Sequence, residues 1–312
     1  MKVCFVGIGS IAKRHIRNLS ELCDSLDMDV SIDALRRSSV KEDEFPTAIE
    51  KVYTTVEELP TDYDVIFLTN PTEYHADMLF ALHDNAKHFF IEKPVASLGT
   101  LNKLQNINFR DNSVYYVACP LRYTNVIQYL KNEIDPETVN SVRSISSSYL
   151  PDWRPGIDYR NTYSAHRDLG GGVGIDLIHE WDYLTYLFGM PTAVKSFVGK
   201  VSNLEIDSDD YAIYIARYED KMIAELHLDY FGRQSVRRIE LITDSETIIG
   251  DLISGKVEYL RTGDVIDLTQ QRDDYQKREL RYFINAISKN EVSQNDVLNA
   301  VKVLKLTQGV LD

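Results

Sequence analysis

The sequence predicts two domains of different class, an α/β domain over residues 1–120 and an α+β domain over residues 121–312. Up to about residue 120, short apolar strands alternate with helical segments, which is the pattern of a parallel sheet covered on both faces. After Pro120 the pattern changes to closely spaced strand-like segments, with two helical segments at the end of the chain. This second pattern predicts a large, mostly antiparallel sheet with helices.

The composition is that of an ordinary folded protein. The 312 residues are 44% hydrophobic and 26% charged, and a chain of this length can bury two hydrophobic cores. The formal net charge of −14 argues against a nucleic-acid partner, because binding to a phosphate backbone needs clustered lysine and arginine. An anionic substrate therefore requires a local group of arginines.

Signals for targeting, membrane insertion and metal binding are missing from the sequence. The apolar run after Met1 is too short for a signal peptide, and no window approaches the roughly 18 apolar residues of a membrane helix. We therefore expect a cytoplasmic protein with no membrane partner. The three cysteines are scattered and the seven histidines lack metal-ligand spacing, so we expect no metal.

Six strands and two clear helices are predicted in the first domain. The helix over 11–23 has helical spacing through Ile11, His15 and Leu19, and the second helix covers 73–83. The predicted strands cover 2–6, 30–35, 51–53, 64–69, 88–91 and 113–118.

The second domain begins with a helix over 125–131 and a strand over 141–149, followed by a loop over 151–172. A helix over 173–188 comes next, and Gly189 and Pro191 end it. The remaining predicted strands cover 211–218, 222–228, 238–243 and 257–260, and the closing helices cover 275–287 and 294–309.

A glycine-rich turn joins the first strand to the first helix. Its sequence is GxGxxA, formed by Gly7, Ile8, Gly9, Ser10, Ile11 and Ala12. Gly7 permits a tight turn, Gly9 lets the backbone approach a diphosphate, and Ala12 allows the helix to pack closely on the strand. The turn predicts a Rossmann domain that binds a dinucleotide at the helix N-terminus, where Ser10 and Ile11 also contact it.

The end of the second strand decides between NAD and NADP. If Asp33 ends the strand, its carboxylate accepts from a ribose 2′-hydroxyl and NAD is favoured. If the strand continues to Leu35, the turn of Arg36, Arg37 and Ser38 binds a 2′-phosphate instead. Strand length and the spacing from Gly9 favour NADP, although a solvated basic turn remains the alternative.

Two further segments follow strands at the edge where ligands of parallel sheets bind. The first contains Thr69, Asn70 and Pro71, with His75 shortly after, and the second is Glu92-Lys93-Pro94. Pro94 restricts Lys93 to an extended backbone, which directs its side chain into the crevice. We expect both segments to line the dinucleotide site.

With these segments and the glycines Gly170, Gly171 and Gly172 before Asp176 and His179, the chain resembles the Gfo/Idh/MocA oxidoreductases over nearly its whole length. The resemblance implies catalytic roles for Lys93, Asp176 and His179, and a Pro94 that is commonly cis. The sequence departs from the family in one respect. Many members place the aspartate four residues before the histidine, whereas here the two are three apart.

The residue types in the second domain suit hydride transfer at a secondary alcohol. In a continuous helix, Leu177, Trp181, Leu184 and Phe188 form an apolar stripe, whereas Asp176, His179, Glu180 and Tyr183 share a polar arc. Histidine titrates near neutral pH, so His179 is the expected acid or base. Lys93 would hydrogen-bond the reacting oxygen, and Asp176 would orient the other groups.

The loop over 151–172 is the expected substrate site, because aromatic rings stack on sugars and arginines pair with carboxylates or phosphates. Its candidate residues are Trp153, Arg154, Tyr159, Arg160 and Tyr163, together with Arg122 and Tyr123. We expect a sugar, a nucleotide sugar or a sugar acid. The resemblance implies a homodimer or homotetramer, for which an open face of the second sheet would provide the interface.

Two other functions are compatible with the sequence. A dinucleotide sensor without activity would tend to lose the lysine and the histidine, and both are retained here. A hydrolase or epimerase that uses tightly bound NAD transiently is not excluded by any sequence feature.

Overall fold

The computed structural model describes residues 1–36, 46–219, 221–289, 291 and 293–309. The chain divides into two compact units. The first unit contains Met1–Ala118 and Arg272–Val301, and the second contains Cys119–Gln271 and Lys302–Asp312. Among the described residues, no helix is both long and apolar enough to cross a bilayer.

Seven α-helices lie in the described part of the chain. They are α1 (Ser10–Ser25), α2 (His75–Ala81), α3 (Asn125–Glu133), α4 (Val173–Asp176), α5 (His179–Phe188), α6 (Arg272–Lys289) and α7 (Val297–Leu306). The helix predicted over 173–188 is therefore interrupted, since α4 ends at Asp176 and α5 begins at His179. At the break, Leu177 leaves helical geometry with φ −97° and ψ 32°.

The first unit contains a six-stranded sheet in which every pair is parallel. Its strands are β1 (Lys2–Val6), β2 (Ser31–Leu35), β3 (Ile49–Tyr53), β4 (Tyr63–Leu68), β5 (Ala86–Ile91) and β6 (Tyr115–Val117). They lie in the order β3-β2-β1-β4-β5-β6, so the predicted Rossmann sheet is confirmed. The order reverses between β1 and β4, and ligands bind at such a reversal, beyond the carboxyl ends of the strands.

The second unit contains an eight-stranded sheet. Its strands are β7 (Val139–Tyr149), β8 (Ala193–Gly199), β9 (Tyr211–Tyr218), β10 (Met222–Asp229), β11 (Phe231–Thr243), β12 (Thr247–Asp251), β13 (Lys256–Tyr259) and β14 (Val265–Asp267). They lie in the order β14-β13-β12-β11-β7-β10-β9-β8, and only the β7–β10 pair of this sheet is parallel. The predicted antiparallel sheet is thus confirmed.

One face of the second sheet packs against α5. Val142, Ser144 and Ser146 alternate with exposed or half-buried residues along β7, as a strand with one covered face requires. The hydroxyl of Ser144 lies 2.5 Å from the phenol oxygen of Tyr183 on α5. This contact shows that α5 covers the inner face of the sheet.

The structure differs from the predicted domain boundaries at residues 272–301, which group with the first unit rather than the second. Arg17 of α1 pairs with Asp273 of α6 at 2.6 Å. The ring of Phe283 on α6 lies 5.4 Å from Phe90 and 6.1 Å from Phe67, between ring centroids. A parallel sheet must be covered on both faces, and α6 supplies part of that cover.

Candidate active site

The glycine-rich turn of the first unit lies against the segment that follows β4. Gly7 has φ +83°, and a Cβ atom there would lie 2.9 Å from the Cα atom of Asn70. The Thr69 hydroxyl donates to the carbonyl oxygens of Val6 and Gly7 at 3.0 and 2.8 Å. Only glycine fits at position 7, because another side chain would be strained in φ and would collide with Asn70.

The start of α1 fits a diphosphate group. No side chain of the described residues caps this end of the helix, and its first turn contains no acidic residue. A Cβ atom built on Gly9 meets no described protein atom within 4 Å. The first N–H groups of a helix have no intrahelical acceptor and carry partial positive charge, so Gly9, Ser10, Ile11 and Ala12 can hold an anion.

The end of β2 has no available carboxylate in the described residues. Asp33 lies inside the strand, is 4% exposed and accepts a hydrogen bond of 2.7 Å from the phenol of Tyr63. The strand continues to Leu35, and the amide of Arg36 then donates to the carbonyl oxygen of Tyr53. Of the two predicted alternatives, a strand that ends at Asp33 and a strand that continues to Leu35, the structure has the second. Arg37 and Ser38 lie outside the described residues.

The turn that carries Lys93 follows β5. The peptide bond between Lys93 and Pro94 is cis, as the resemblance implies. One oxygen of Glu92 lies 2.6 Å from Nε2 of His15 on α1, and the other accepts the amide N–H of Lys93 at 3.2 Å. Burial alone raises the pKa of Glu92, but the His15 hydrogen bond and the Lys93 charge outweigh it, so the pKa lies below its usual value.

His75 connects the two ligand-facing turns. Its ring nitrogens lie 3.0 Å from the carbonyl oxygen of Pro94 and 2.9 Å from that of Asn70. The residue is fully buried, and this burial lowers the pKa of the imidazole. His75 is therefore buried and connects the backbones of the two turns through its ring nitrogens.

In the second unit, three glycines precede Asp176. A Cβ atom on Gly171 would lie 2.2 Å from the carbonyl oxygen of Tyr163, so only glycine allows the chain to pass so close to the loop. Asp176 accepts a hydrogen bond of 2.6 Å from the phenol of Tyr230, and the phenol of Tyr163 lies near enough for the carboxylate to act on it electrostatically. Burial and the Asp176 carboxylate raise the pKa of both phenols, which therefore remain donors.

Two predicted substrate residues extend this group. The Trp153 ring lies edge-on to Tyr230 with centroids 5.2 Å apart, and its indole N–H donates to Ser148. The Arg154 guanidinium lies 5.6 Å from the centre of the Tyr163 ring. The structure therefore brings Trp153, Arg154 and Tyr163 together around Asp176.

Other predicted substrate residues lie elsewhere in the second unit. Arg160 is exposed and pairs with Asp158 and Glu205 at 2.8 and 3.1 Å. The Tyr159 hydroxyl accepts the amide N–H of Glu205. These contacts stabilise the loop, since Arg160 pairs with Asp158 within it and both residues connect it to Glu205.

Arg122 forms a buried ion pair. Its Nε and Nη2 atoms donate to the two carboxylate oxygens of Asp182 on α5 at 2.9 and 2.7 Å. The guanidinium also lies 5.1 Å from the centre of the Tyr186 ring. These contacts give Arg122 a structural role within the unit, and the adjacent Tyr123 is half-buried.

The break between α4 and α5 separates the polar arc that a continuous helix would have formed. His179 is the first residue of α5 and is half-buried. Glu180 is fully buried and lies 2.7 Å from Nε of Arg237 on β11. Glu180 and Tyr183 thus face the sheet, and the single polar arc predicted for a continuous helix does not form.

The described residues include one group that could hold a metal ion. It consists of His166, Asp168 and Asp207, whose ligand atoms lie within 4.8 Å of one another. Sequence spacing did not indicate this group, since Asp207 comes from a distant segment. Exposed carboxylates commonly cluster without an ion, and we assign no metal to the group.

His15 and Tyr230 also contact site residues, Glu92 and Asp176, and neither was predicted as part of the site. His15 occupied a position in the apolar stripe of α1, and its burial there was the one available signal that it needs a polar partner. Tyr230 lies between two strands and had no motif to mark it. Both partners, Glu92 and Asp176, are distant in sequence.

Two family models match the chain. One is described as an oxidoreductase family with an NAD-binding Rossmann fold and matches residues 1–118. The other is described as the GFO/IDH/MocA C-terminal domain and matches residues 127–249.

Several individual proteins are similar to this chain over most of their own length. An uncharacterised oxidoreductase of Bacillus subtilis is 24% identical, over 98% of this chain and 93% of its own. Myo-inositol 2-dehydrogenase of Thermotoga maritima is 21% identical, over 91% and 83%. The structure of a levoglucosan dehydrogenase in complex with NADH superposes with a TM-score of 0.86 over 99% of this chain and 95% of that one, at 16% identity, which is a likeness of fold.

Proposed function

The chain belongs to the Gfo/Idh/MocA oxidoreductase family, and from that premise we propose that it transfers hydride between a nicotinamide dinucleotide and a secondary alcohol of a carbohydrate. The observation that supports this most directly is the turn of Glu92, Lys93 and Pro94 at the carboxyl end of β5. His75 ties that turn to Asn70, which lies against Gly7 of the dinucleotide turn.

We assign Lys93 and His179 as the catalytic pair. A bound nicotinamide supplies the hydride acceptor or donor. His179 removes the hydroxyl proton during oxidation and returns it during reduction, a role that the imidazole side chain commonly performs. Lys93 donates a hydrogen bond to the reacting oxygen and stabilises negative charge that develops on it.

Asp176 orients the pair. The phenol of Tyr230 donates to its carboxylate, and this leaves Asp176 as an acceptor with a fixed position. The three-residue spacing between Asp176 and His179 is accommodated by the break between α4 and α5. The shortened spacing is therefore compatible with the same roles.

We further propose that NADP is preferred over NAD. An NAD site needs a carboxylate at the end of the second strand, and Asp33, which is the sole acid of β2, is buried and bonded to Tyr63. The residue after the strand is Arg36, and arginine suits a 2′-phosphate. Arg37 and Ser38 extend this basic turn in sequence.

The proposed substrate is a sugar, a nucleotide sugar or a sugar acid. Trp153 and Tyr163 offer aromatic faces close to Asp176, and Arg154 offers a cation for an anionic group. The similar proteins named above include an inositol dehydrogenase and a levoglucosan dehydrogenase, which supports a polyol or sugar.

A homodimer or homotetramer is proposed through the outer face of the second sheet. Phe197, Ile215 and Ile223 lie on this face with 71%, 47% and 45% of their surface exposed. Neighbouring strands of one sheet carry them, and exposed apolar groups so close together mark an interaction surface.

The test is a screen for reduction of NADP⁺ and NAD⁺ with myo-inositol, levoglucosan, glucose, glucuronate and UDP-N-acetylglucosamine, followed by substitution of the lysine. We expect Lys93→Met to lower kcat by about 10²–10³-fold, the range for removal of one hydrogen-bond donor to an oxygen that develops negative charge. Lys87→Met, at an exposed position of β5, which is the strand that precedes Lys93, is the matched control and should keep full activity. Unchanged turnover of Lys93→Met would show that the assignment is wrong.

A further inference from the structure

A chain of hydrogen bonds runs from the helix of the dinucleotide turn to Lys93. Nε2 of His15, in the second turn of α1, lies 2.6 Å from Oε1 of Glu92. Oε2 of Glu92 accepts the backbone N–H of Lys93 at 3.2 Å. The two oxygens of one carboxylate thus connect α1 to the backbone of Lys93.

The position of the ring hydrogen on His15 follows from its surroundings. The side chain is 1% exposed, and its Nδ1 atom has no hydrogen-bond partner among the described residues. The ring packs edge-on against Phe90 with centroids 5.1 Å apart. A hydrogen on Nδ1 would be a buried donor without an acceptor, so we assign the hydrogen to Nε2, where the Glu92 carboxylate accepts it.

The hydrogen bond from His15 favours the ionised form of Glu92. Its side chain is 14% exposed, and the titratable or charged groups facing it are His15 on α1, His75 on α2 and the adjacent Lys93. Burial works against the charge, whereas the His15 hydrogen bond is the largest of the interactions that favour it. A carboxylate that loses its main donor in a buried site takes up a proton at higher pH.

We propose that His15 is a positioning residue for catalysis, because its hydrogen bond orients the Glu92 carboxylate and that carboxylate fixes the backbone of Lys93. The inference rests on the proposed role of Lys93 and adds a residue that no motif of the sequence marked. In this proposal, α1 has two functions. Its N-terminus faces the dinucleotide, and His15 in its second helical turn holds the segment that carries Lys93.

The first experiment measures the carboxylate itself in the protein without cofactor. Glutamate is labelled with ¹³C at the carboxyl carbon, and Glu92→Gln identifies the Glu92 signal. In His15→Leu we expect the midpoint of the Glu92 titration to rise by about one pH unit or more. In His15→Gln, whose amide N–H can replace Nε2, it should stay within about half a unit of the unsubstituted protein.

The ring of His15 gives a second readout. Its ¹⁵N shifts should show hydrogen on Nε2 and a lone pair on Nδ1 in the unsubstituted protein. A hydrogen on Nδ1, or a Glu92 midpoint that is the same in His15→Leu and in the unsubstituted protein, overturns the proposal.

Activity is then measured against pH with the panel carbohydrate that is oxidised fastest. We expect His15→Leu to lower kcat by about 10- to 100-fold, as loss of a hydrogen bond to a charged group predicts, and to move the acidic limb of the profile to higher pH. His15→Gln should restore kcat to within about threefold. His83→Leu, a histidine of the same unit outside this chain of bonds, is the control and should match the unsubstituted protein.

Glu92→Gln keeps the proposal testable if His15→Leu does not fold. The amide cannot ionise, so kcat should fall at every pH without a new acidic limb. Full kcat in Glu92→Gln overturns the proposal. Full kcat in Lys93→Met would instead overturn the proposed function, so the two failures are distinguishable.

Discussion

The phenol of Tyr63 donates a hydrogen bond of 2.7 Å to the carboxylate of Asp33 inside the parallel sheet. Because this carboxylate already has a partner and is buried, we expect Asp33→Asn to leave the preference between NADP and NAD unchanged. Arg36→Ala should raise KM for NADP by about 10-fold or more and affect NAD little, since a hydrogen bond to a charged group contributes about 1.5–3 kcal/mol.

The check is kcat/KM for both cofactors in each variant with one fixed carbohydrate. If the ratio of kcat/KM for NADP to that for NAD rose by more than about tenfold in Asp33→Asn, Asp33 would contact the ribose after all. A tenfold change corresponds to about 1.4 kcal/mol of binding free energy.

Gly7→Ala should abolish dinucleotide binding and lower the melting temperature. The new methyl group would lie 2.9 Å from the Cα atom of Asn70, in a backbone with φ +83°. Gly263→Ala is the matched control, because its φ of +80° is equally unfavourable but no described atom lies within 4 Å of the new methyl group.

Two measurements separate the loss of cofactor binding from the loss of stability. Fluorescence titration measures cofactor binding, and thermal unfolding measures stability. Both variants should lose stability from the backbone, by about 1–2 kcal/mol. Only Gly7→Ala should lose binding, and equal binding in the two variants would rule out the collision as the reason for glycine at position 7.

Arg122→Met should destabilise the second unit by about 3–5 kcal/mol, because it leaves the Asp182 carboxylate buried without its partner. The double variant Arg122→Met/Asp182→Leu should recover most of this loss, since it removes both buried charges. Urea unfolding of the two single variants and the double variant gives the coupling between the residues. Simple additivity of the two single losses would contradict a direct buried pair.

Stability should fall at acidic pH in part through Asp229. Burial raises the pKa of this carboxyl, but donors from His227, Ser147, Gly232 and Phe231 outweigh it and hold the pKa below its usual value. A lowered pKa stabilises the fold above the unfolded value of about 3.9, and that stability is lost as pH falls through the folded value.

Urea unfolding between about pH 6 and pH 3 tests this linkage. Asp229→Asn should be less stable at pH 6, with a smaller decline on acidification than the unsubstituted protein. An equally steep decline in both proteins would assign the acid sensitivity to other carboxyl groups.

Most strands were predictable from the sequence because each is a short apolar run whose side chains alternate or stay buried. The interruption at Leu177 was not predictable, because Glu180 and Tyr183 have the spacing of a polar arc but find partners on the sheet, in Arg237 and Ser144. Such partners are distant in sequence, and helical periodicity carries no information about them.

The site was predictable to the extent that motifs mark it. The turns at Gly7 and Lys93 have local signatures, whereas the partners that hold them do not. In the sequence, His15 is only one member of an apolar stripe, and nothing there indicates its contact with Glu92. Arg122 was predicted to bind substrate, whereas in the structure its guanidinium pairs with Asp182.

The first unit is assembled from two stretches of chain that are far apart in sequence. During synthesis, the parallel sheet emerges from the ribosome long before α6. The rings of Phe67 and Phe90 can contact Phe283 only after α6 has been made. The first unit therefore reaches its final packing only after about nine-tenths of the chain has been made, and in a shorter nascent chain the rings of Phe67 and Phe90 lack their contact with α6.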